Sequence, residues 1–195
     1  MRPRIGLDAG GVLIDSLMPS FPARAAASMG ADPGTVRAML TDDGFRRGYW
    51  SGDLPEDAFW GTLDLDAPDP GRRAEVLDLR PRIDPARVAA WRAVADVWVV
   101  SNHRHEWLLP VLGRLGFDEV VDHIEVSSLT GRVKPDPAAW EALMADGTPA
   151  ADVVVVDDQE PNLEAARSLG ITAIRAGGDN SWADAVDAWL ASRAC

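Results

Sequence analysis

The sequence predicts an α/β fold, with a doubly wound and mostly parallel sheet and a small helical domain inserted after the first strand. Two observations support this prediction. Short, continuous apolar runs alternate with helical patterns, as is typical of strands buried on both faces of a parallel sheet. One long segment, residues 16–82, contains helical patterns but no strand-like run. We therefore expect a core formed by residues 1–15 and 83–195, and a helical domain formed by residues 16–82.

Four apolar runs predict the strands of this sheet. They are residues 4–7 (RIGL), 97–100 (VWVV), 153–156 (VVVV) and 171–176 (ITAIRA). Three of these runs are followed directly by a polar residue, namely Asp8, Ser101 or Asp157. Because open α/β sheets bind their ligands at the carboxyl ends of the strands, we expect these side chains to converge.

Helical patterns separate the runs, and their ends are recognisable. Asp136 and Pro137 are placed as the N-cap and the first residue of one helix. Gly170 is placed to end another, which begins near Pro161. Within residues 16–82 the patterns FPARAAASMG, PGTVRAML and PEDAFWGTL predict further helices, joined by turns rich in glycine and proline.

Composition limits the classes of function. Hydrophobic residues make up 47% of the chain, which is enough for a buried core. The formal net charge of −12 argues against a nucleic-acid surface, although a metal ion or a lysine can still attract an anionic substrate locally. No apolar run approaches the roughly 20 residues of a membrane span, and no signal peptide precedes the first predicted strand. We expect a cytoplasmic protein without nucleic-acid or membrane partners, and the sequence does not predict its oligomeric state.

Two residue types with reactive side chains occur only once, lysine as Lys134 and cysteine as Cys195. Cys195 is the last residue, so we expect an incidental thiol and no disulfide within the chain. Arginine fills the other 18 of the 19 basic positions. A lone lysine in such a chain is either chance or a site that needs a compact ammonium, where a planar guanidinium would not fit.

The polar residues near the predicted strand ends form a chemically coherent set. A carboxylate such as Asp8 can attack phosphorus and become an acyl phosphate. The hydroxyl of Ser101 and the amide of Asn102 can hold phosphoryl oxygens, and the ammonium of Lys134 can neutralise them. The adjacent Asp157 and Asp158 can bind Mg²⁺, which prefers oxygen ligands.

Four stretches of the chain resemble the four motifs of the haloacid dehalogenase superfamily. They are DAGGVLID, VVSN, GRVKPDPAAW and VVVVDDQEPNLEAARSLGI. The likeness spans nearly the whole chain and implies a Rossmann-like core. The helical segment after the first motif is similar to the cap domain of the subfamily that carries its cap there. The stretches DHIEVSSLTGRVKPDP and DDQEPNLEAARSLGIT resemble bacterial sugar-phosphate phosphatases of the α-D-glucose-1-phosphate phosphatase type.

The resemblance implies a Mg²⁺-dependent phosphatase that hydrolyses a small phosphomonoester. A sugar phosphate is the substrate that the family suggests, and a phosphorylated intermediate of a specialised pathway is equally compatible. The implied Mg²⁺ ligands are Asp8, Gly10 through its carbonyl, and Asp158, with Asp157 either as a second acid or as a residue that supports the ligands from behind. The implied catalytic residues are Asp8 as the nucleophile, Lys134 and Ser101. The implied substrate-binding residues are Ser101, Asn102, Gly11 and His103.

Gly10 departs from the usual pattern of the family. Most phosphatases that it resembles carry there a second aspartate, which protonates the leaving oxygen and then activates water. Such general acid–base catalysis typically contributes about 10²–10⁴-fold in rate. Gly10 cannot supply it, and three outcomes stay open.

The first outcome is a phosphatase with a substitute, which is either a bound water or His103; the alternative for His103 is a solvated loop residue. The second is a dehalogenase, which the acidic pair Asp157 and Asp158 argues against. A phosphonate-cleaving route that uses a cap lysine is closed, since residues 16–82 contain no lysine. The third is a binding or regulatory protein on an enzyme scaffold.

The helical segment carries several aromatic residues and the adjacent Arg46 and Arg47. We expect most of these aromatic rings to pack its own core and one or two to face the site. Arg46 or Arg47 either meets a substrate anion or lies on a solvated face.

Overall fold

The computed structural model describes residues 2–193, so Cys195 lies outside the described residues. Five strands form one parallel sheet in the order β3-β2-β1-β4-β5. The strands are β1 (Arg4–Leu7), β2 (Asp96–Ser101), β3 (His123–Val126), β4 (Val153–Asp157) and β5 (Thr172–Arg175). The predicted α/β class with a parallel sheet is confirmed.

Eleven α-helices accompany these strands within residues 2–193. Five of them, all between β1 and β2, are α1 (Phe21–Met29), α2 (Pro33–Thr41), α3 (Asp43–Ser51), α4 (Glu56–Gly61) and α5 (Pro70–Val76). The other six are α6 (Pro85–Arg92), α7 (His105–Arg114), α8 (Ser127–Thr130), α9 (Ala138–Glu141), α10 (Glu160–Ser168) and α11 (Ser181–Ala191). Short 3₁₀ turns lie at Ala142–Met144 and Ala150–Asp152.

The order of the strands positions the site. β1 lies in the middle of the sheet, with Leu7 in register with Val99 of β2 on one side and Val156 of β4 on the other. The next backbone amide, that of Asp8, still donates to the Val156 carbonyl at 2.9 Å. The chain segments that leave β1, β2 and β4 therefore emerge together at the carboxyl edge, at a point where the strand order reverses.

The four predicted strands are present with small shifts at their ends, but β3 was not predicted from the sequence. Its four residues, HIEV, form no continuous apolar run; they alternate between polar and apolar over only four positions, and their burial does not follow this alternation. His123 is exposed at this edge strand, whereas Glu125 is buried and ion-paired with Arg132. A short edge strand of this kind gives almost no hydrophobic pattern.

The helices between β1 and β2 fall inside the predicted segment 16–82. Their aromatic core is not closed on itself, because Phe21, Tyr49 and Phe59 pack around Trp107 of α7. One buried apolar cluster continues from these rings into the sheet. The division into a core of 1–15 and 83–195 and a cap of 16–82 stays a proposal.

Within residues 2–193, each helix is either too short or too polar to cross a lipid bilayer.

Candidate active site

Asp8 follows β1 directly and is almost fully buried, with 6% of its surface exposed. Its Oδ1 accepts a hydrogen bond from the Ala9 amide at 2.7 Å and lies 3.1 Å from Lys134 Nζ. Among residues 2–193, no group pairs with the other oxygen, Oδ2. One carboxylate oxygen is thus held in place while the second is available for attack.

Lys134 is buried at the centre of the site. Its Nζ donates to Asp157 Oδ2 at 2.6 Å and to the Val100 carbonyl at 2.9 Å, in addition to its contact with Asp8. The ammonium also lies 5.0 Å from the centroid of the Trp140 ring. Burial by itself would lower the pKa of Lys134, but the charges of Asp8 and Asp157 outweigh it and raise that pKa. The chain's single lysine is therefore a permanently charged bridge between two carboxylates.

Asp157, the last residue of β4, is completely buried, and both of its oxygens are occupied. Oδ1 accepts from the Gln159 amide at 2.8 Å and from Asn162 Nδ2 at 2.9 Å. Oδ2 accepts from Lys134 Nζ and from the same Asn162 amide at 3.0 Å. We predicted Asp157 either as a second metal-binding acid or as a residue that supports the ligands from behind. Its hydrogen bonds with Lys134 and Asn162 fit the second role, and one of its oxygens also belongs to the group of three carboxylates that could hold a metal ion.

Asp158 differs from its neighbour. It is half-buried, and its Oδ1 is occluded from solvent without a hydrogen-bond partner among the described residues. Asp8, Asp157 and Asp158 each offer an oxygen, and these three atoms lie within 4.8 Å of one another. Burial and the charge of Asp157 raise the pKa of Asp158, against the opposing charge of Lys134.

The same crowding of charge acts on Asp8. Burial is the main cause that raises the pKa of Asp8 to about 7; Lys134 opposes this shift, and the charges of Asp157 and Asp158 add to it. Three carboxylates thus share a single ammonium in a desolvated space. The orphaned Asp158 Oδ1 and the Asp8 carboxylate are hard oxygen donors, so the residues present fit a divalent cation such as Mg²⁺.

The two glycines after Asp8 have different roles. Gly11 has a φ of +78°, and a Cβ at this position would come within 2.4 Å of Asp158 Oδ2. We expected Gly11 to bind the substrate, but its amide donates to the Ile14 carbonyl at 2.8 Å and is therefore committed to the turn. A Cβ at Gly10 would meet no atom within 4 Å. The space that an acid–base side chain would enter is therefore open.

Ser101 and Asn102 end β2 on the other side of Asp8. Ser101 is buried and lines the same cavity as Asp8, and within residues 2–193 its hydroxyl has no partner. The Asn102 side chain donates to the Lys134 carbonyl at 2.7 Å and accepts from the Lys134 amide at 2.8 Å. The structure thus leaves Ser101 available to a phosphoryl oxygen, whereas the Asn102 side chain positions Lys134.

His103 is buried, with 6% of its surface exposed, so it is not the solvated loop residue that was one of our two alternatives. Its ring packs against Trp50, with centroids 5.6 Å apart, and against Trp107, with centroids 6.2 Å apart. Burial lowers the pKa of His103 to about 4, although its contact with the Arg104 carbonyl opposes this shift.

Seven of the nine predicted site residues line one small cavity of about 80 Å³, namely Asp8, Gly10, Ser101, Asn102, His103, Lys134 and Asp158. The other two, Gly11 and Asp157, lie outside its lining. Trp50 of the helical segment lines this cavity and also the adjoining cleft of about 840 Å³. Trp50 is thus an aromatic residue that faces the site, and we expected one or two of these. Arg46 and Arg47 line the larger cleft, where Arg46 pairs with Asp43 on the same helix.

Sequence reasoning missed two residues that build the site. Asn162 holds both oxygens of Asp157, and Trp140 packs on the Lys134 ammonium while donating from its own Nε1 to the Asn162 carbonyl. Asn162 is buried five residues after Asp157, one turn into α10. A polar residue in the first helical turn after an acidic strand end is the only signal that the sequence offers for it, because its burial is visible in the structure alone.

A sequence model of the haloacid dehalogenase-like hydrolases matches residues 7–170. No curated protein sequence matches this chain significantly. Among solved structures, a HAD-like family hydrolase from Porphyromonas gingivalis superposes with a TM-score of 0.80 at 22% identity, covering 97% of this chain and 98% of that one.

Two further structures are similar in fold. A HAD family enzyme from Bacteroides thetaiotaomicron, in complex with magnesium and inorganic phosphate, has a TM-score of 0.70 and 19% identity, covering 93% of this chain and 98% of that one. The L-2-haloacid dehalogenase from Xanthobacter autotrophicus has a TM-score of 0.61 and 20% identity, covering 90% of this chain and 77% of that one.

Proposed function

Because the chain belongs to the haloacid dehalogenase-like hydrolases, we propose that it is a Mg²⁺-dependent phosphatase acting on a small phosphomonoester. The observation that carries this proposal is that Asp8, with a free Oδ2, and Asp158, with a partnerless Oδ1, line one cavity with Lys134. Each of the two carboxylates offers an oxygen within 4.8 Å of the other. Such an arrangement offers a nucleophile, a cation site and a positive charge within one cavity. The Bacteroides relative, whose structure contains magnesium and phosphate, is consistent with the same chemistry.

Asp8 and Asp158 would hold the ion, with the Gly10 carbonyl as a further oxygen ligand, and bound Mg²⁺ would supply positive charge to the phosphoryl group. Asp8 Oδ2 attacks phosphorus, forming an acyl phosphate as the bond to the ester oxygen breaks. Water then attacks this aspartyl-phosphate, releasing inorganic phosphate and restoring the carboxylate. Lys134 balances the charge of Asp8 and the phosphoryl group, and the Ser101 hydroxyl holds a phosphoryl oxygen.

Gly10 determines which esters react fast. With no carboxylate there, the leaving oxygen takes its proton from water. Esters whose alcohol has a low pKa depend least on that proton, and a sugar phosphate leaving through an anomeric hydroxyl is one example. The open space beside Gly10 also supports a second candidate, a phosphate-binding or regulatory protein that turns over poorly.

Release of inorganic phosphate from a panel of phosphomonoesters, with Mg²⁺ and with EDTA, tests the proposal. We expect release that requires Mg²⁺ and falls by roughly 10³-fold or more in Asp8→Asn. In Gly10→Asp a carboxylate would enter the open space, and we expect it to speed the hydrolysis of esters with poor leaving groups.

Two results would reject the phosphatase. Phosphate release no greater than that of Asp8→Asn, with phosphate still bound, would establish the binding protein. Halide release from 2-chloropropionate in EDTA would establish a dehalogenase, the activity of the Xanthobacter relative.

A further inference from the structure

His103 lies in the cavity of the proposed reaction, yet none of its steps uses this residue. The ring lines the same cavity as Asp8, Ser101 and Lys134. Its Nδ1 lies 3.1 Å from the Arg104 carbonyl. Within residues 2–193, its other nitrogen, Nε2, has no hydrogen-bond partner. This atom is not fully shielded from solvent, unlike the buried polar atoms that lack a partner. The residue is buried, but one polar atom remains available at the cavity.

The orientation of this ring is fixed on several sides. The His103 amide donates to Ser127 Oγ at 3.1 Å, and Ser127 Oγ donates in turn to the Trp50 carbonyl at 2.6 Å. Trp50 and Trp107 pack on the imidazole. A side chain held by two aromatic rings and by its own backbone cannot swing out to solvent without breaking this packing.

The contact at Nδ1 determines what Nε2 can do. A backbone carbonyl only accepts hydrogen bonds, so Nδ1 carries the proton. In the neutral ring Nε2 is then an acceptor, and burial of the ring favours the neutral form. The cavity therefore presents one neutral acceptor among charged groups.

Two roles are excluded for this nitrogen. A phosphoryl dianion, the main form of a phosphomonoester above pH about 6, has no proton to offer to Nε2. A general acid must carry a proton on the reacting nitrogen, and Nε2 carries none. With its pKa lowered to about 4, the imidazole is also a weak base toward the attacking water. The group that fits Nε2 is therefore a neutral hydrogen-bond donor on the substrate itself, close to the phosphoester.

We propose that His103 is a specificity-determining residue whose Nε2 accepts a hydrogen bond from a substrate hydroxyl, so that the site selects phosphate esters bearing a hydroxyl on a carbon near the phosphoester. This inference rests on the proposed function, because it takes the cavity to be the place where the ester binds. Trp50 lines both this cavity and the larger cleft and packs on the His103 ring, so its indole lies beside the place that the carbon chain of the ester would take.

Matched esters test the inference. Glycerol 3-phosphate and propyl phosphate have similar leaving carbons and differ in their hydroxyl groups. We expect kcat/KM to favour glycerol 3-phosphate by about 10-fold, the value of one hydrogen bond, with most of the difference in KM. Dissociation constants of both esters, measured with the Asp8→Asn protein, give the same comparison without turnover.

Two variants separate recognition from packing. His103→Asn keeps an amide near Nδ1, which can still donate to the Arg104 carbonyl, but has no group at the Nε2 position. His103→Gln places its amide near Nε2, where the carbonyl can accept. We expect the preference for glycerol 3-phosphate to vanish in His103→Asn and to persist in His103→Gln. His105→Asn is the control, because His105 contacts Ser128 and lies outside the cavity lining.

The outcomes are separable. Phosphate release without preference between the two esters would overturn the inference and leave the phosphatase standing. Preferential binding of glycerol 3-phosphate, lost in His103→Asn, without phosphate release above that of Asp8→Asn, would support the inference and overturn the phosphatase. Loss of preference in both His103 variants, with unchanged thermal stability, would also count against a role for the acceptor.

Discussion

The site consists of two halves that treat their polar groups differently. The paired half comprises Lys134, Asp157 and Asn162, and the open half comprises Asp8, Gly10 and Asp158. In the paired half, the ammonium, both Asp157 oxygens and the Asn162 amide are joined to one another. In the open half, Asp8 has a free oxygen, Asp158 has a buried oxygen without a partner, and Gly10 leaves empty space.

This difference indicates a division of tasks. A buried charge that loses its partner destabilises the fold, so the paired half is expected to govern folding. Polar groups left unsatisfied in a cavity are available to a ligand, so the open half is expected to govern binding and reaction. Asp8 connects the two halves, because its Oδ1 faces Lys134 while its Oδ2 stays free.

The largest effect is expected from breaking the paired half at Lys134. Lys134→Met would leave Asp8 and Asp157 buried without their cation, and we expect the free energy of unfolding to fall by about 3–5 kcal/mol. Chemical denaturation measures this change. Arg167→Met is the control, because its ion pair with Glu160 is exposed and should contribute less than about 1 kcal/mol. Equal losses in the two variants would remove the distinction between buried and exposed pairs.

The adjacent aspartates offer a sharper comparison, because Asp157 belongs to the paired half and Asp158 to the open half. Asp157→Asn keeps the shape but loses the charge that holds Lys134, so we expect a loss of about 1.5–3 kcal/mol in stability. Asp158→Asn removes a like charge from a crowded cavity, so stability should be kept or raised. Its activity and its affinity for Mg²⁺ should fall by at least roughly 100-fold.

Denaturation curves and Mg²⁺ titrations by calorimetry separate the two variants. The division of tasks fails if Asp158→Asn unfolds as easily as Asp157→Asn, or if Asp157→Asn alone loses Mg²⁺.

The sequence predicted the fold well where burial is uniform. The strands at 4–7, 97–100 and 153–156 are central and apolar on both faces, so a continuous run identifies each of them. β3 lies at the sheet edge and contains an ion-paired Glu125, and no local pattern reveals its partner strand. Pairing between distant segments is a tertiary property, which a window of sequence does not contain.

The sequence predicted most of the residues that form the site, although it missed Asn162 and Trp140, and it did not predict which role each residue has. Asp8, Ser101, Lys134 and Asp158 do line one cavity, as strand order and residue chemistry indicated. Asn102 has the right chemistry to bind phosphate, yet its amide oxygen and one of its two N–H donors are bound to the Lys134 backbone. Which of two capable groups stays free depends on its neighbours in space.

The smallest effect, and the finest test, comes from the two consecutive glycines. Gly11→Ala forces a left-handed backbone on a residue with a Cβ and pushes that atom against Asp158 Oδ2. We expect a loss of about 1–3 kcal/mol in stability, together with weaker Mg²⁺ binding, because the carboxylate must move. Gly10→Ala meets open space and an ordinary φ, so stability should stay within about 0.5 kcal/mol of wild type. Thermal denaturation with and without Mg²⁺ measures the stability of both variants. A larger loss of stability in Gly10→Ala than in Gly11→Ala would mean that the turn after Asp8 does not set the position of Asp158.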